Sequence, residues 1–164
     1  MVNEELDILN IVAENPNTSQ RKIAEQTGIS LGQVNFLIKK FVKIGLIKIE
    51  GQTSKSLRYN LTPKGMAEKA EKTLQYIKAS YAKVKLMSNR IQKLASTFKD
   101  AGYTIYLPEA HDEMMEICIL ALNDVNIDYR VGAPENYEEK AVILCWDPEV
   151  EKKYNQYTCV NVLH

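Results

Sequence analysis

The sequence has few of the residues that mark secreted, membrane-bound or catalytic proteins. Its 164 residues include three cysteines and two histidines. An odd number of widely spaced cysteines favours a reducing cytoplasm over a disulfide framework, and two histidines offer little capacity for general-base catalysis. No stretch reaches the roughly 18 successive apolar residues of a membrane span, and residues 1–14 lack the basic segment that begins a secretory signal. We expect a cytoplasmic protein that is not an enzyme.

The chain also lacks a net charge, but this balance hides an uneven distribution. Lys and Arg together number 21, as do Asp and Glu. Residues 1–99 hold 17 basic and 8 acidic side chains, whereas residues 100–164 hold 4 basic and 13 acidic ones. The first segment therefore carries +9 and the second −9, which predicts two regions with different partners. The overall charge of zero does not exclude binding to nucleic acid.

The first 61 residues have the pattern of a winged helix-turn-helix domain. Apolar residues at helical spacing are followed by two short strand patterns with a polar tip between them. Thr18 or Ser19 is the expected N-cap of the second helix, Gly28 lies in the turn and Ser30 is the expected N-cap of the third helix. The predicted helices cover 1–13, 20–26 and 30–44, and the predicted strands cover 46–49 and 56–61.

The third predicted helix has a polar and basic outer face that suits DNA. An α-helix fits the major groove, where Gln33 and Asn35 can pair with base edges and lysines can contact phosphates. Gly32 allows a close approach, and the hairpin, or wing, could reach the minor groove. The alternatives are a solvated lysine face and a domain that binds proteins. The candidate DNA-binding residues are Thr18, Ser30, Gly32, Gln33, Asn35, Phe36, Lys39, Lys40, Lys43, Lys55 and Arg58.

Three short motifs within this region point to a known family. They are ISLGQVN at 29–35, KIGLI at 43–47 and LTPKG at 61–65. The stretch from Thr18 to Lys69 resembles winged-helix repressors of the MarR type, and most closely the group associated with exopolysaccharide gene clusters. The resemblance implies a homodimeric transcription regulator, and typical members lack the tail of this chain. As recognition-helix residues it implies Ser30, Gly32, Gln33, Asn35 and Lys39.

Residues 62–101 are predicted to form one long helix. Thr62 and Pro63 give it a cap and a proline at its first position, and apolar residues recur along it at intervals of four and three. Such a pattern indicates that one face packs against another helix. Pairing with a second copy is favoured over packing onto the tail of the same chain. The predicted dimerisation residues are Leu74, Ile77, Tyr81, Val84, Ile91, Leu94 and Phe98.

Residues 102–164 are predicted to form a small acidic α/β domain that resembles a degenerate Rossmann fold. Strand patterns at 103–107, 127–131 and 141–146 flank a helix at 112–122, and this order is typical of a parallel sheet. The first turn lacks a glycine-rich phosphate loop and holds acidic residues, so a dinucleotide cofactor is not expected. A role in effector binding or oligomerisation is predicted, and the aromatic residues of the tail could line a pocket for a small-molecule effector or belong to the core.

The tail offers two further groups of candidate side chains. His111, Asp112 and Glu116 could converge on a metal ion, but a capped helix start with solvated acids is favoured, so no metal is predicted. The cysteines at 118, 145 and 159 are expected to be buried structural thiols, and a redox switch is open only if two of them approach each other.

The sequence as a whole predicts an α+β protein of three segments, each with its own function. Residues 1–61 form the winged helix, 62–101 the dimerisation helix and 102–164 the α/β domain. The predicted function is a homodimeric, sequence-specific transcription regulator that binds double-stranded DNA. The alternative is a protein-interaction adaptor that uses the same folds without contacting DNA.

Overall fold

A computed structural model describes residues 4–51, 56–134 and 140–163. The chain divides into two compact units, residues 1–79 and 80–164, and the division falls within the long helix. Within the described residues, no helix is long and apolar enough to cross a membrane. The fold is α+β, with a winged helix, a long helix and a small parallel sheet in chain order. This confirms the predicted fold class.

The first unit contains three helices, a two-stranded hairpin and the start of the long helix. Ser19 is the N-cap of the second helix, where its hydroxyl accepts a hydrogen bond from the Lys22 N–H. That helix ends at Gly28, which has a φ of +73° and so adopts the left-handed conformation that glycine tolerates best. The elements are α1 (Glu4–Glu14), α2 (Gln20–Thr27), α3 (Leu31–Lys43), β1 (Ile47–Glu50), β2 (Arg58–Leu61) and α4 (Pro63–Asp100).

The hairpin is held against the start of α4 by the LTPKG motif. The hydroxyl of Thr62 accepts a hydrogen bond from the Gly65 N–H at 3.0 Å, as an N-cap does, and donates to the Gly45 carbonyl at 2.6 Å. The Lys64 ammonium donates to the Ile44 carbonyl at the end of α3. A Cβ on Gly65 would overlap the backbone oxygen of Leu46. The motif therefore joins α3, the hairpin and α4, and only glycine fits at its last position.

The core of the first unit is formed by the apolar faces predicted from helical spacing. The apolar residues of α1 and α3 meet the inner side of the hairpin, and β1 pairs with β2 in antiparallel register from Ile47–Leu61 to Glu50–Arg58. The buried residues are Ile8, Leu9, Val12, Ile23, Val34, Leu37, Ile38, Phe41, Leu46, Ile47 and Tyr59.

Helix α4 is continuous for 38 residues, a length of roughly 57 Å at 1.5 Å per residue. Its apolar residues do not share one environment. Ile91 is fully buried in the core of the second unit, and Leu94 and Phe98 pack against that core. All three were predicted to contact a second copy. That assignment is wrong for Ile91, which its own chain buries, whereas Leu94 and Phe98 are half-buried and their contact with a second copy stays a prediction. Ser88 to Ile91 and Ile91 to Leu94 are both steps of three residues, so the alternation of steps of four and three ends at Ile91.

The second unit is a four-stranded parallel sheet with helices on both faces. The strands follow the order β4-β3-β5-β6 and every pair is parallel. The predicted strand over 127–131 is reduced to two residues, because Asn126 turns the chain with a φ of 51° and Ile127 is buried in the core. The elements are β3 (Thr104–Leu107), α5 (Glu113–Asp124), β4 (Arg130–Val131), β5 (Ala141–Cys145), α6 (Pro148–Lys153) and β6 (Thr158–Asn161).

Both faces of this sheet are buried. One face packs against α5 and the later part of α4, with Ile91, Leu107 and Leu144 in its core. The other face packs against the residues around α6, including Tyr154. All five residues of β5 are buried, as expected for a strand of a parallel sheet that is covered on both sides.

Candidate nucleic-acid interface

The outward face of α3 is polar, basic and largely exposed. Val34, Leu37, Ile38 and Phe41 turn inward and are buried, so a helical period of 3.6 residues puts the residues between them on the opposite side. The exposed candidates on this face are Gly32, Gln33, Phe36, Lys39, Lys40 and Lys43. The structure therefore presents six of the predicted DNA-binding residues on one accessible helix face.

The start of α3 is fixed by its N-cap. The hydroxyl of Ser30 accepts a hydrogen bond from the Gln33 N–H at 3.2 Å. This bond uses the Ser30 oxygen for the helix, while the side chain of Gln33 remains exposed. Asn35 is half-buried, beside the buried Val34. The cap thus sets the direction in which the first turn of α3 presents its side chains.

Phe36 gives this face an apolar centre. Its side chain is 61% exposed, and Leu31 at the first turn is 51% exposed. A large exposed aromatic is unusual on a lysine-rich helix, and exposed apolar groups mark sites of contact with other molecules. An apolar ring can contact a thymine methyl in the major groove, and it can equally contact a protein.

Lys40 is also exposed, but its charge is paired within its own chain. Its ammonium lies 2.6 Å from a carboxylate oxygen of Glu5 in α1. The second oxygen of Glu5 lies 2.8 Å from the ammonium of Lys72 in α4. One carboxylate therefore joins three helices. The charge of Lys40 is thus partly neutralised within the chain, and its contact with a phosphate stays a prediction.

The pKa values of Glu5 and Lys72 are shifted in the directions that this geometry predicts. Hydrogen bonds from Lys40 and then Lys72 lower the pKa of Glu5, against a smaller opposing effect of burial. The hydrogen bond to Glu5 raises the pKa of Lys72. Each group favours the charged form of the other, as expected for opposite charges in contact. The network stabilises the position of α3 relative to α1 and α4.

Thr18 is buried, which excludes it from the exposed surface. Only 4% of the residue is accessible, and its hydroxyl has no hydrogen-bond partner among the described residues. Ser19, not Thr18, is the N-cap of α2. The prediction that Thr18 contacts DNA therefore needs correction, because the chain turns its side chain inward before α2 begins.

The described part of the hairpin contributes one exposed candidate, Arg58. This residue lies at the start of β2, opposite Glu50 in β1. The ammonium of Lys48 lies 2.9 Å from the Glu50 carboxylate and lowers its pKa, and Asn60 donates a further hydrogen bond to it. Lys55, the other predicted wing residue, lies outside the described residues.

The first four residues of the predicted dimerisation face are exposed in the part of the chain that the structure describes. Leu74 and Ile77 in the first unit are 51% and 56% exposed. Tyr81 and Val84 in the second unit are also exposed. Large apolar side chains at heptad spacing are rarely left in water along a helix, which agrees with the predicted contact to another molecule.

Sequence reasoning missed an apolar groove in the first unit. It has a volume of about 700 Å³ and lies between the end of α1, β2 and the first turns of α4. Leu74 and Ile77 line one side of it, and Lys69, Thr73 and Asn60 supply its polar groups. No sequence motif marks the groove, because residues from three separated segments form it.

Asp112 in the second unit has a structural role. Its side chain is the N-cap of α5, where it accepts a hydrogen bond from the Met115 N–H, and its other oxygen accepts one from the Trp146 indole at 2.9 Å. Burial acts to raise the pKa of Asp112, but the hydrogen bonds from Met115 and Trp146 lower it overall. No group of three metal-ligating side chains occurs within the described ranges. The favoured prediction of a capped helix start is confirmed.

Two of the three cysteines approach each other. Cys118 and Cys145 are buried as predicted, and Cys159 is half-buried. Cys145 and Cys159 lie on neighbouring strands, β5 and β6, and their side chains are close enough to affect each other's pKa. Burial raises the pKa of Cys145 to about 11 and also raises that of Cys159. Both groups are therefore neutral thiols near neutral pH, which makes them poor nucleophiles.

The aromatic residues of the tail belong largely to the core. Tyr106 and Tyr154 are buried on one face of the sheet, and the Tyr103 ring packs edge-on against Phe98 at 5.4 Å. The Arg130 guanidinium donates a hydrogen bond to the Tyr106 hydroxyl. These contacts favour the core interpretation over an effector pocket for the described aromatics. Tyr137 lies outside the described residues.

The winged-helix geometry agrees with a match to a known domain family. Residues 5–48 match the family model described as winged helix-turn-helix DNA-binding. The matched residues extend from α1 to the first residues of β1, about a quarter of the chain. A search of the curated proteins finds no match.

Several solved structures, among them two of MarR proteins, are similar to part of the chain. A Mycobacterium tuberculosis MarR family protein in complex with p-aminosalicylic acid is 22% identical, with 49% of this chain and 61% of that chain covered and a TM-score of 0.41. A mutant of Lactococcus lactis ZitR is 22% identical, with 76% and 72% covered and a TM-score of 0.43. Staphylococcus aureus MarR in complex with salicylate and kanamycin is 17% identical, with 74% and 69% covered and a TM-score of 0.40. The chain spans about 61% of the length of the first of these.

Proposed function

We propose that this chain is a homodimeric, sequence-specific DNA-binding transcription regulator with no catalytic role. The observation that carries the proposal is the outward face of α3, the second helix of a helix-turn-helix, with exposed Gln33, Lys39 and Lys43. A helix in this position enters the major groove, and its polar side chains contact base edges while its lysines contact phosphates. The match of residues 5–48 to DNA-binding winged helices supports the same conclusion.

The proposed interface differs from the first prediction at one residue. Thr18 is removed because it is buried, and Lys40 is expected to contribute less because its charge is paired with Glu5. Arg58 remains as the wing residue directed to the minor groove, where Arg is the preferred side chain. The retained α3 and wing residues are Ser30, Gly32, Gln33, Asn35, Phe36, Lys39, Lys40, Lys43, Lys55 and Arg58.

The proposal includes a homodimer formed along α4. DNA-binding helix-turn-helix proteins address two half-sites about 34 Å apart, which requires two copies. Leu74, Ile77, Tyr81 and Val84 are exposed at heptad spacing and would be covered by the same residues of a second copy. The Asp substitutions Leu74→Asp and Ile77→Asp are expected to lower the sedimentation coefficient, and an unchanged value would contradict this interface.

The regulator is proposed to be of the MarR type. The motifs ISLGQVN, KIGLI and LTPKG support this assignment. The contacts of Thr62 and Gly65 explain why the LTPKG motif has threonine and glycine at these positions. The resemblance to the group associated with exopolysaccharide gene clusters makes the upstream DNA of such clusters a first set of operator candidates.

The proposal is tested by selecting bound fragments from genomic DNA and measuring their affinity by fluorescence anisotropy. Gln33→Ala and Asn35→Ala are expected to weaken binding to the selected fragment by about 5- to 100-fold each, since a good base contact contributes about 1–3 kcal/mol. Their affinity for unrelated DNA should stay within about twofold of wild type. Lys152→Ala in α6 is the control, because it changes an exposed lysine outside the winged helix.

The exposure of Phe36 supports a second candidate function, a protein-interaction adaptor. An adaptor would keep the fold but select no DNA fragment, even at low salt where phosphate contacts are strongest. Absence of any selected fragment would overturn the regulator and favour the adaptor. Phe36→Ala then separates the two functions: a regulator loses DNA affinity, whereas an adaptor loses a protein partner and has no DNA affinity to lose.

We also propose that a small-molecule effector binds in the apolar groove of the first unit instead of in the C-terminal domain. The groove has room for a small aromatic acid, and Lys69 is placed to pair with its carboxylate. Salicylate serves as the probe. Isothermal titration should show binding that Lys69→Ala weakens and Lys152→Ala does not, and equal binding by the two variants would contradict this site.

A further inference from the structure

The last strand of the second unit leaves one side of its backbone without a partner in the described structure. Strand β6 lies at the end of the sheet, beside β5. The Val162 N–H donates to the Cys145 carbonyl of β5. Because backbone groups alternate along a strand, Thr158 and Val160 also face β5, and Cys159 and Asn161 present their N–H and C=O groups outward.

This edge lacks two of the features that commonly prevent strands of different molecules from pairing, namely charged residues and proline. Proteins commonly protect an edge strand with lysine, proline or other charged residues. Residues 154–163 contain no charged residue and no proline, although the surrounding segment 100–164 holds 17 charged residues. Thr158 is exposed, and Cys159, Val160 and Asn161 are half-buried. The described edge therefore presents outward backbone groups and uncharged, half-buried side chains.

An exposed apolar patch lies next to the end of this strand. Leu163 lines a hollow of about 420 Å³ together with Leu86 and Met87 of α4, and Lys83 and Arg90 form its rim. Leu86 is 72% exposed and Leu163 is 40% exposed. The long side chains of Lys83 and Arg90 can keep their charges in water while their stems cover apolar surface. The patch and the edge of β6 belong to one continuous surface, because Leu163 follows β6 directly.

We propose that the second unit binds a second copy of itself through β6, which joins two four-stranded sheets into one of eight strands. The outward groups of Cys159 and Asn161 are two residues apart, so antiparallel pairing about Val160 is self-complementary. Cys159 exchanges two hydrogen bonds with Asn161 of the partner subunit, and the symmetric pair gives four in total. The apolar hollow at Leu163 is covered by the same association. This inference concerns the second unit alone and does not rest on DNA binding.

Asn161→Pro is the variant that tests this pairing in the full chain. Proline removes the outward N–H of residue 161 but none of the N–H groups that face β5, and proline is tolerated on that side of an edge strand. Asn161→Ala is the matched control, because it keeps the N–H and loses only the side-chain bond to the Leu163 N–H. Sedimentation velocity over a range of concentrations gives the dissociation constant. The expected change is about 30-fold for Asn161→Pro, from the loss of two hydrogen bonds, and a few-fold at most for Asn161→Ala.

The double variant Leu74→Asp/Ile77→Asp, with and without Asn161→Pro, distinguishes the β6 pairing from the proposed α4 dimer. If β6 pairs, that double variant still associates, and adding Asn161→Pro makes it monomeric. If the double variant is already monomeric at all concentrations, the β6 pairing is wrong and the α4 dimer stands. If the double variant associates as wild type does, and adding Asn161→Pro makes it monomeric, the α4 dimer is wrong and the β6 pairing stands.

Hydrogen exchange of the wild-type protein gives an independent result should Asn161→Pro fail to fold. The amides of Cys159 and Asn161 face away from β5, so they should exchange quickly in dilute protein and slow down as concentration rises. The Val160 amide, which faces β5, should be protected at every concentration. Rates at Cys159 and Asn161 that do not depend on concentration would overturn the proposal.

Discussion

The substitution Gly65→Ala tests how the LTPKG motif holds the winged helix together. Gly65 is buried in the first turns of α4, against the backbone of Leu46 and the side chain of Leu61. A Cβ at this position would lie 3.0 Å from the Leu46 carbonyl carbon and 3.2 Å from a Leu61 methyl carbon, and it would overlap the Leu46 oxygen. Backbone cannot move aside as a flexible side chain can, so the hairpin must shift away from α4.

The expected effect of Gly65→Ala on the free energy of unfolding is opposite to the effect of the same change at an ordinary helical glycine. Replacing glycine by alanine inside a helix normally stabilises a protein by up to about 1 kcal/mol. Overpacking against a fixed neighbour costs about 1–3 kcal/mol. The net expectation is a loss of about 1–2 kcal/mol in the free energy of unfolding, or a fall of about 2–8 °C in Tm for a protein of this size.

Gly32→Ala supplies the matched control, since Gly32 also lies in the first turn of a helix. A Cβ there meets only the Ser30 hydroxyl oxygen, at 3.9 Å. The control should be as stable as wild type or slightly more stable. Urea unfolding followed by far-UV circular dichroism measures both variants, and the emission of Trp146 reports on the second unit separately. A Gly65→Ala variant as stable as Gly32→Ala would refute the reasoning.

Three further predictions concern the ion pairs, the α5 cap and the thiols. Because the pKa of Glu5 is lowered, the stabilisation from this carboxylate is complete above its ordinary pKa of 4.5 and is lost as pH falls through the lowered pKa. Glu5→Gln should therefore flatten the dependence of the urea midpoint on acid pH. A pH profile equal to that of wild type would contradict this role of Glu5. Asp112→Ala should cost about 1–2 kcal/mol as a lost N-cap and shift the emission of Trp146, whereas Asp112→Asn should cost less; equal losses would show that the cap is not the cause. Cys145 should react with iodoacetamide far more slowly in native than in urea-unfolded protein, because burial raises its pKa to about 11; similar rates would contradict its burial.

Local signals in the sequence predicted most of the winged helix. Ser30 caps α3 and Gly28 ends α2 as their residue types suggest, because capping depends on neighbours within one turn. The buried face of α3 also followed from its spacing. The pairing of Lys40 with Glu5 could not be predicted, because the two residues are 35 positions apart and meet only when α1 and α3 pack. The burial of Thr18 has the same explanation, since the tertiary fold decides which of two adjacent polar residues points inward.

The long helix shows a different limit of sequence patterns. Periodic apolar residues indicate that a helix face is buried, but they do not identify what covers it. Ile91 and Phe98 pack within their own chain, whereas Leu74 and Tyr81 continue the pattern and remain exposed.

The central claim is that the outward face of α3 binds DNA, and the salt dependence of binding by two adjacent lysine variants tests it most directly. The affinity of wild type, Lys39→Ala and Lys40→Ala for a selected genomic fragment is measured by anisotropy over a series of salt concentrations. Each phosphate contact contributes about 0.9 to the slope of log affinity against log salt. Lys39→Ala is expected to reduce the slope by about that amount, and Lys40→Ala should reduce it less because the charge of Lys40 is partly neutralised by Glu5. An unchanged slope for Lys39→Ala, or an equal reduction for both variants, would contradict the account.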